Sequence, residues 1–463
     1  MSDRHLVVVG AGITGLAAAL AAVDAGWQVT VIEADDRCGG KIRSSDLGGR
    51  VVDEGADAFL IRSSSANSLC ARVGVTDLTH PATGSAMVWL GDRLQRLPGG
   101  LVLGVPARFD ELAESGILSE AGLHRAMTEP DLPGDPLAAD ESIGSVVRRR
   151  YGDEVADRLV HPLLGGIAAG DPDRMSIDAC VPQLAAAARR GPSLSRALEA
   201  PIRGVAVEPV FAAPIGGVAS IIDAALVALR SAGVTVHTGS PVESIEPTAG
   251  GAEVHVGGGS AQSIPAHGVV LSAPADTAAR LLDAPAGAAA ALIRQIAHAS
   301  VAMAGIVFRT DEVRLPAGIS GFLVPREAGL TLTAASFGSA KWPHWSDGST
   351  VVIRASAGHR DDPTVTDRPD DELLHLLLAD LERTLGISAK PTAARISRWP
   401  AGFPQYDVGH LDRVAEIDRL LRRDLPAVRL AGATYRGLGI PACIDQGRAA
   451  VASLDDAVAE GGR

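Results

Sequence analysis

The chain has 463 residues, a formal net charge of −13 and 3% aromatic residues. That length is enough for two or three domains with sizeable cores, and the acidic balance argues against nucleic acid as a partner. The four cysteines, Cys38, Cys70, Cys180 and Cys443, form no C-x-x-C pair and no metal-ligand spacing, which predicts reduced thiols, no metal site and a cytoplasmic protein.

In chain order, the first element is a strand over residues 6–9, followed by Gly10, Gly12 and Gly15, a helix of small residues, a strand over 29–32 and then Glu33. Each glycine has a mechanical use in a dinucleotide fold. The first allows the tight turn, the second lets backbone approach a pyrophosphate, and the third lets helix pack on strand. The helix N-terminus offers N–H groups to phosphate, and Glu33 lies where a carboxylate meets a ribose. Residues 5–23 carry no formal charge, but the spaced glycines and the strand that follows argue against an export signal or a membrane span.

The continuation Ala34-Asp35-Asp36-Arg37-Cys38-Gly39-Gly40-Lys41-Ile42-Arg43 places a glycine doublet among basic residues and resembles the second FAD fingerprint of the amine-oxidase superfamily. Gly39 and Gly40 bring backbone close to the cofactor while Arg37, Lys41 or Arg43 offer charge to phosphate or flavin. The apolar run 97–107, with two prolines, is a loop that touches lipid peripherally, lines a ligand entrance or is simply buried. Residues 141–160 and 177–198 pattern as helices, with a breaker over 130–136. A helix over 220–231 follows, then strands at 234–237, 241–245, 252–256 and 268–272. No second glycine fingerprint occurs in this return, which argues against a nicotinamide.

The last return is Leu430-Ala431-Gly432-Ala433-Thr434-Tyr435-Arg436-Gly437-Leu438-Gly439-Ile440-Pro441-Ala442-Cys443-Ile444-Asp445, leading into a helix. With Trp399, Phe403-Pro404-Gln405-Tyr406-Asp407-Val408-Gly409-His410, Gly321-Phe322-Leu323-Val324-Pro325, Ser339-Ala340-Lys341-Trp342-Pro343 and Gly165-Gly166-Ile167-Ala168-Ala169-Gly170-Asp171-Pro172, it resembles the protoporphyrinogen and coproporphyrinogen oxidase family of heme synthesis. The matching stations run in order from residue 5 to about residue 450.

The resemblance implies an α/β fold with three parts. A discontinuous Rossmann-like FAD-binding domain of the amine-oxidase/p-hydroxybenzoate-hydroxylase type would comprise 1–60, 205–285 and 400–463. A mixed-sheet substrate domain would comprise 61–105 and 286–399, and an α-helical insertion 106–204. It also implies FAD contacts at Gly10, Ala11, Gly12, Ile13, Thr14, Gly15, Glu33, Ala34, Lys41, Gly55, Ala56, Asp57, Ala58, Val242, Trp399, Leu438, Gly439 and Ile440. Val242 is equally well read as a core strand residue. The reaction implied is six-electron dehydrogenation of a porphyrinogen, hydride passing to the flavin and molecular oxygen being reduced to hydrogen peroxide. That chemistry asks mainly for orientation in a dry slot, and no triad or carboxylate pair stands out.

Gly166 matches the loop under the flavin, where its backbone carbonyl is a candidate partner for pyrrole N–H groups. Leu323 matches a leucine against the macrocycle, or is plain core. Coproporphyrinogen carries four propionates against two in protoporphyrinogen and needs more cationic partners. Arg62, Arg93 and Arg96 flank the apolar segment and are the candidates. The absence of an anchor and an arginine-biased composition favour coproporphyrinogen III, with protoporphyrinogen IX as the alternative and a flavin-loaded porphyrin carrier as the alternative of another class. A ferrochelatase is the candidate recipient of the product, and the oligomeric state is left open.

Overall fold

The computed structural model describes residues 4–202, 209–258 and 261–461. Alternation builds the first sheet. In the strand His5–Val9, Leu6 and Val8 enter one core and Val7 and Val9 another, all four buried, as a parallel strand covered on both faces requires. Five parallel strands lie in the order Thr235–His237, Gln28–Ile32, His5–Val9, Gly268–Leu271, Val428–Leu430. Helices Ile13–Asp24, Ala219–Ser231 and Ile440–Gly461 cover one face. The antiparallel meander Val242–Thr248, Gly251–Val256 and Gln262–Ala266 covers the other, together with helices Ala275–Leu282, Gly287–Arg294 and His410–Asp424. The strands expected in this return are therefore present, within a residue or two at most ends.

A seven-stranded mixed sheet runs Ala393–Pro404, His298–Arg309, Thr350–Ala357, Leu332–Phe337, Gly321–Leu323, Met87–Trp89, Leu94–Arg96. Ala302, Ala304, Ile306 and Phe308 alternate onto its outer face, where Leu373, Leu377 and Leu381 of the helix Asp370–Leu385 cover them. On the opposite face Val307 and Val352 pack with Leu47, Val52 and Trp345. The boundary expected at residue 400 falls inside a strand, because the ladder continues until Pro404 opposite His298. The boundary expected at 204/205 lies outside the described residues.

The helical part has its own core of Val146, Val147, Tyr151, Leu159, Leu164 and Leu184 among others. Its two long expected helices are each broken. Gly152, at φ +92°, separates Ile143–Tyr151 from Asp153–Val155, and a π-turn over Ala156–Val160 leads into His161–Ala168. Pro182 and then Gly191-Pro192 divide the second into Ile177–Cys180, Pro182–Arg190 and Leu194–Ile202. Proline lacks the N–H that would continue each helix and clashes with the preceding turn. The apolar run 97–107 forms two short paired strands, Leu101–Val102 and Val105–Pro106, packed on this helical core. Among the described residues no helix is long and apolar enough to cross a membrane.

Candidate active site

The two glycine fingerprints meet in space. Gly39 N donates to Ala11 O at 2.8 Å, Gly12 bridges Gly39, and a Cβ on Gly40 would lie 3.5 Å from Gly12 Cα. Gly15 lets the helix approach its own turn, since a Cβ there would sit 1.9 Å from Gly10 O. Gly12 differs: its φ is −70° and a Cβ would meet nothing within 4 Å. Nothing in the chain demands glycine at that point, so the open space at the helix N-terminus is room for a ligand. Ile13 and Thr14 begin that helix, buried, with no acidic side chain in its first turn, so the helix dipole favours an anion.

Glu33 holds the turn together. Its carboxylate accepts from Ala11 N at 2.7 Å and from Asp35 N at 3.0 Å, leaving further lone pairs for a ribose. Ala34 beside it is exposed. Val242 is buried in the core, its carbonyl taken by Arg280 at 3.2 Å, and Ser240 N donates to Glu33 O at 2.9 Å, which brings this strand to the ribose end. Of the expected cations, Arg37 is spent on the carbonyls of Cys38, Ile42 and Gly40, and Arg43 pairs with Glu54 at 3.0 Å.

Lys41 points to the other end of the cleft. Its stem is exposed while its ammonium is enclosed and donates to Gly402 O, and that desolvation lowers its pKa. Gly55 packs here, a Cβ on it falling 2.8 Å from Lys41 O and 3.4 Å from Trp399. The Trp399 Nε1 is buried without a protein partner, a donor free for an acceptor that enters the cleft. Asp57 turns away from the cleft. It accepts from Lys341 Nζ at 2.9 Å and Trp342 Nε1 at 2.9 Å, and Arg354 lies at 3.1 Å while also donating to Gly55 O. Burial alone would raise the Asp57 carboxyl, but Lys341 and Arg354 hold it well below the ordinary range. The side chain of Asp57 thus fixes the Gly55, Ala56, Asp57, Ala58 segment to the second sheet, leaving backbone and small side chains for any ring system. Sequence reasoning missed this anchor, although its signal was present: Lys341 is one of only three lysines in an arginine-rich chain.

Gly166 lies in the last turn of the helix His161–Ala168 rather than in the expected loop, and it meets Leu323. A Cβ on Gly166 would lie 2.9 Å from Leu323 Cδ2, and the adjacent Ile167 is 52% exposed. Leu163, one turn earlier on the same helix, lines a cavity of about 460 Å3 with Leu97, Leu101, Leu103, Leu159 and Arg96. Arg96 is held by Ser85 Oγ at 2.7 Å. The other two expected cations are not brought there: Arg93 pairs with its neighbour Asp92 at 3.4 Å, and Arg62 is exposed at the entry to the helix Ser64–Val73. Leu438 packs partly against the helical core, Gly439 is open and Ile440 is buried at the start of the last helix. Among the described residues three non-glycine residues have positive φ, namely Leu103, Ala169 and Ala401. Leu103 lines the cavity, Ala169 ends the helix of Gly166 and Ala401 stands two residues after Trp399. The group His161, Asp171 and Asp173 has ligand-type atoms within 4.8 Å of one another, but Arg148 already donates to Asp173 at 3.0 Å.

A cleft walled by two glycine turns, tied by the carboxylate of Glu33 and open at a helix N-terminus, has clear relatives. The family described as flavin containing amine oxidoreductase matches residues 13–454. The chain belongs to this family. A dinucleotide fingerprint in a flavin family specifies FAD, and the cleft fits it: the open space at Gly12, the carboxylate of Glu33 and the orphaned Trp399 Nε1 would hold phosphate, ribose and ring acceptor respectively. The chain is also similar to the coproporphyrinogen III oxidase of Bacillus subtilis strain 168, 31% identical over 97% of this chain and 98% of that protein. The coproporphyrinogen III oxidase of Mycobacterium tuberculosis H37Rv is 32% identical over 99% of both. A crystal structure from Exiguobacterium sp. 255-15 superposes with a TM-score of 0.87 at 28% identity, covering 99% of this chain and 100% of that one.

Proposed function

We propose that this protein is an FAD-dependent coproporphyrinogen III oxidase. The observation that carries the reading is the meeting of Leu323 with Gly166, on a helix whose Leu163 lines an open, leucine-rich cavity bearing Arg96 and Glu111, in a chain matched end to end by relatives of that name. The chain's own residues orient and enclose. The Gly166 carbonyl accepts pyrrole N–H groups, Leu323 lies against the macrocycle, and Leu97, Leu101 and Leu103 keep water out. Arg96 takes a propionate. Bound FAD supplies the two-electron acceptor, and reoxidation by oxygen balances the whole as coproporphyrinogen III plus 3 O2 giving coproporphyrin III plus 3 H2O2. No acid–base pair is needed at the site, since the product gains aromaticity and orientation supplies much of the rate. The reading includes a cytoplasmic location and passage of the product to a ferrochelatase.

The test is aerobic turnover of purified protein with coproporphyrinogen III and protoporphyrinogen IX at matched concentration, following porphyrin fluorescence and peroxide. Preference for the first supports the proposal, and Arg96→Ala should then raise its KM by roughly tenfold, the value of one charge-assisted hydrogen bond. Preference for the second would move the enzyme to protoporphyrinogen. Turnover of neither, with FAD bound, would make the protein a carrier.

A further inference from the structure

Residues 405–410 follow the end of the strand Ala393–Pro404, and three parts of the molecule converge on them. Gln405 is 3% exposed and spends both amide hydrogens on carbonyls, donating to Ala168 O at 3.0 Å and Phe403 O at 3.0 Å. Tyr406, 4% exposed, sends its side chain the other way: its hydroxyl donates to Ala433 O and accepts from Gly437 N at 2.8 Å. Adjacent residues of an extended segment face opposite sides, so one short stretch grips two turns. The first is the C-terminal turn of the helix His161–Ala168, which carries Gly166 and ends at Ala169, whose N–H donates to Gly165 O at a φ of +51°, while Arg360 N donates to Ala169 O at 2.8 Å. The second leads directly into Leu438, Gly439 and Ile440.

Both grips are reinforced. His410, fully buried, stacks on Tyr406 at 4.1 Å between centroids, and its Nε2 pairs with Tyr435 O at 2.8 Å. Asp407 is chelated by both terminal nitrogens of Arg360, and Tyr406 O accepts from Ser176 N at 2.8 Å. Burial keeps the Tyr406 phenol protonated by raising its pKa, so it can donate and accept together. On the other side a Cβ at Gly170 would lie 3.0 Å from Gln405 Oε1 and 2.8 Å from Met175 Sδ, so the segment leaving the Gly166 helix closes on Gln405 without slack.

We propose that Gln405 and Tyr406 are positioning residues acting in opposite directions from one segment, Gln405 setting the C-terminal turn of the helix that carries Gly166 and Tyr406 setting the turn that enters Leu438–Ile440. Assigning the first turn to substrate and the second to FAD rests on the function proposed above. The consequence is separability. Removing the Tyr406 hydroxyl leaves a half-buried donor and a half-buried acceptor, Gly437 N and Ala433 O, unpaired at the cofactor turn, and removing the Gln405 amide leaves the buried acceptor Ala168 O unpaired at the end of the substrate helix.

The experiment compares holoenzyme of Tyr406→Phe and Gln405→Leu with the wild type in three measurements. These are FAD affinity by reconstitution of the apoprotein, amide hydrogen exchange over residues 165–171 and 433–440, and kcat and KM for coproporphyrinogen III. Tyr406→Phe should weaken FAD by roughly tenfold, the scale of one lost hydrogen bond, and speed exchange over 433–440 only. Gln405→Leu should leave FAD affinity unchanged, speed exchange over 165–171 only and lower kcat/KM by roughly tenfold. If Gln405→Leu fails to fold, Gly170→Ala, which pushes on the same amide, should give the same pattern. Loss of both properties in each variant, or of neither, would overturn the proposal. If the wild type turns over no porphyrinogen, the functional reading fails by itself, and FAD affinity with the two exchange patterns still decides whether the grips are separate.

Discussion

At the phosphate end of the cleft, Gly10, Gly12, Gly15, Glu33 and the Gly39-Gly40 doublet all fall within the first forty residues. At the other end, Gly166, Leu323, Trp399 and Gln405 arrive from the helical part and from separate strands of the second sheet or the segment that follows it. The first end is made of close backbone approaches, and the second is held by long-range ties around strained alanines. The difference teaches that one cofactor cleft can fail in two ways, by collision where the backbone is tight and by displacement where distant segments must be held.

The largest effect should separate two glycines of the same turn. Gly15→Ala drives a Cβ against Gly10 O and Ser272 Oγ, and should cost about 3 kcal/mol or more, read as a lost or strongly shifted denaturant midpoint. Gly12→Ala meets no atom of the chain, so stability should move by no more than about 1 kcal/mol while FAD affinity falls sharply. Equal loss of stability in both would erase the distinction between a glycine needed by the fold and one needed by the ligand.

Next comes Asp53, which ends the short strand leading to Gly55. Burial raises its carboxyl to about 6 even though Ser44 Oγ and Val218 N donate to it. A folded value above the unfolded 3.8 means that the proton stabilises the fold fully below about pH 4, and that this contribution is lost as pH rises through 6. It is worth about 3 kcal/mol. Asp53→Asn should flatten urea stability between pH 5 and pH 8 and make the variant the more stable protein at pH 8. Asp57 and Glu54 run the other way, their depressed values losing stability as pH falls below the ordinary carboxylate range, so an acid limb should survive in the variant.

A smaller effect probes the end open to displacement. Gly166→Ala presses on the flexible tip of Leu323 rather than on backbone, so stability should hold while kcat/KM falls by roughly tenfold, about 1.4 kcal/mol. Leu323→Ala makes room, and the double variant should recover part of the loss in a cycle. Smallest of all, Ala169→Gly relieves a left-handed alanine, and should raise stability by about 0.5 kcal/mol once the added chain entropy of glycine is deducted. A drop in kcat/KM alongside would show that the strained turn is held for function.

Much of this molecule was legible before any coordinates. The strand–glycine–helix–acid order at the N-terminus identifies a dinucleotide cleft because every part of it is local: the turn, the helix end and Glu33 depend on residues within one βαβ unit. The Gly39-Gly40 doublet and the stations up to residue 450 likewise carry the flavin family. Helix content over 141–160 and 177–198 was also plain, but not the breaks at Gly152, Pro182 and Gly191, since a single breaker can be tolerated or not depending on what packs against it.

Tertiary structure alone decided the rest. Arg62, Arg93 and Arg96 look alike beside the apolar run, and only Arg96 faces the cavity, because exposure is set by which elements fold over a side chain. Asp57 sits in a run of small residues that suits a flat ring, yet its carboxylate is an anchor for Lys341 and Arg354. Gln405 and Tyr406 stand next to each other in sequence and serve a helix end about 240 residues away and a turn about 30 residues away, with alternation in an extended segment separating them. Local physics writes the backbone turns that receive phosphate. Contacts between residues hundreds of positions apart, whose partners no short-range pattern names, shape the slot.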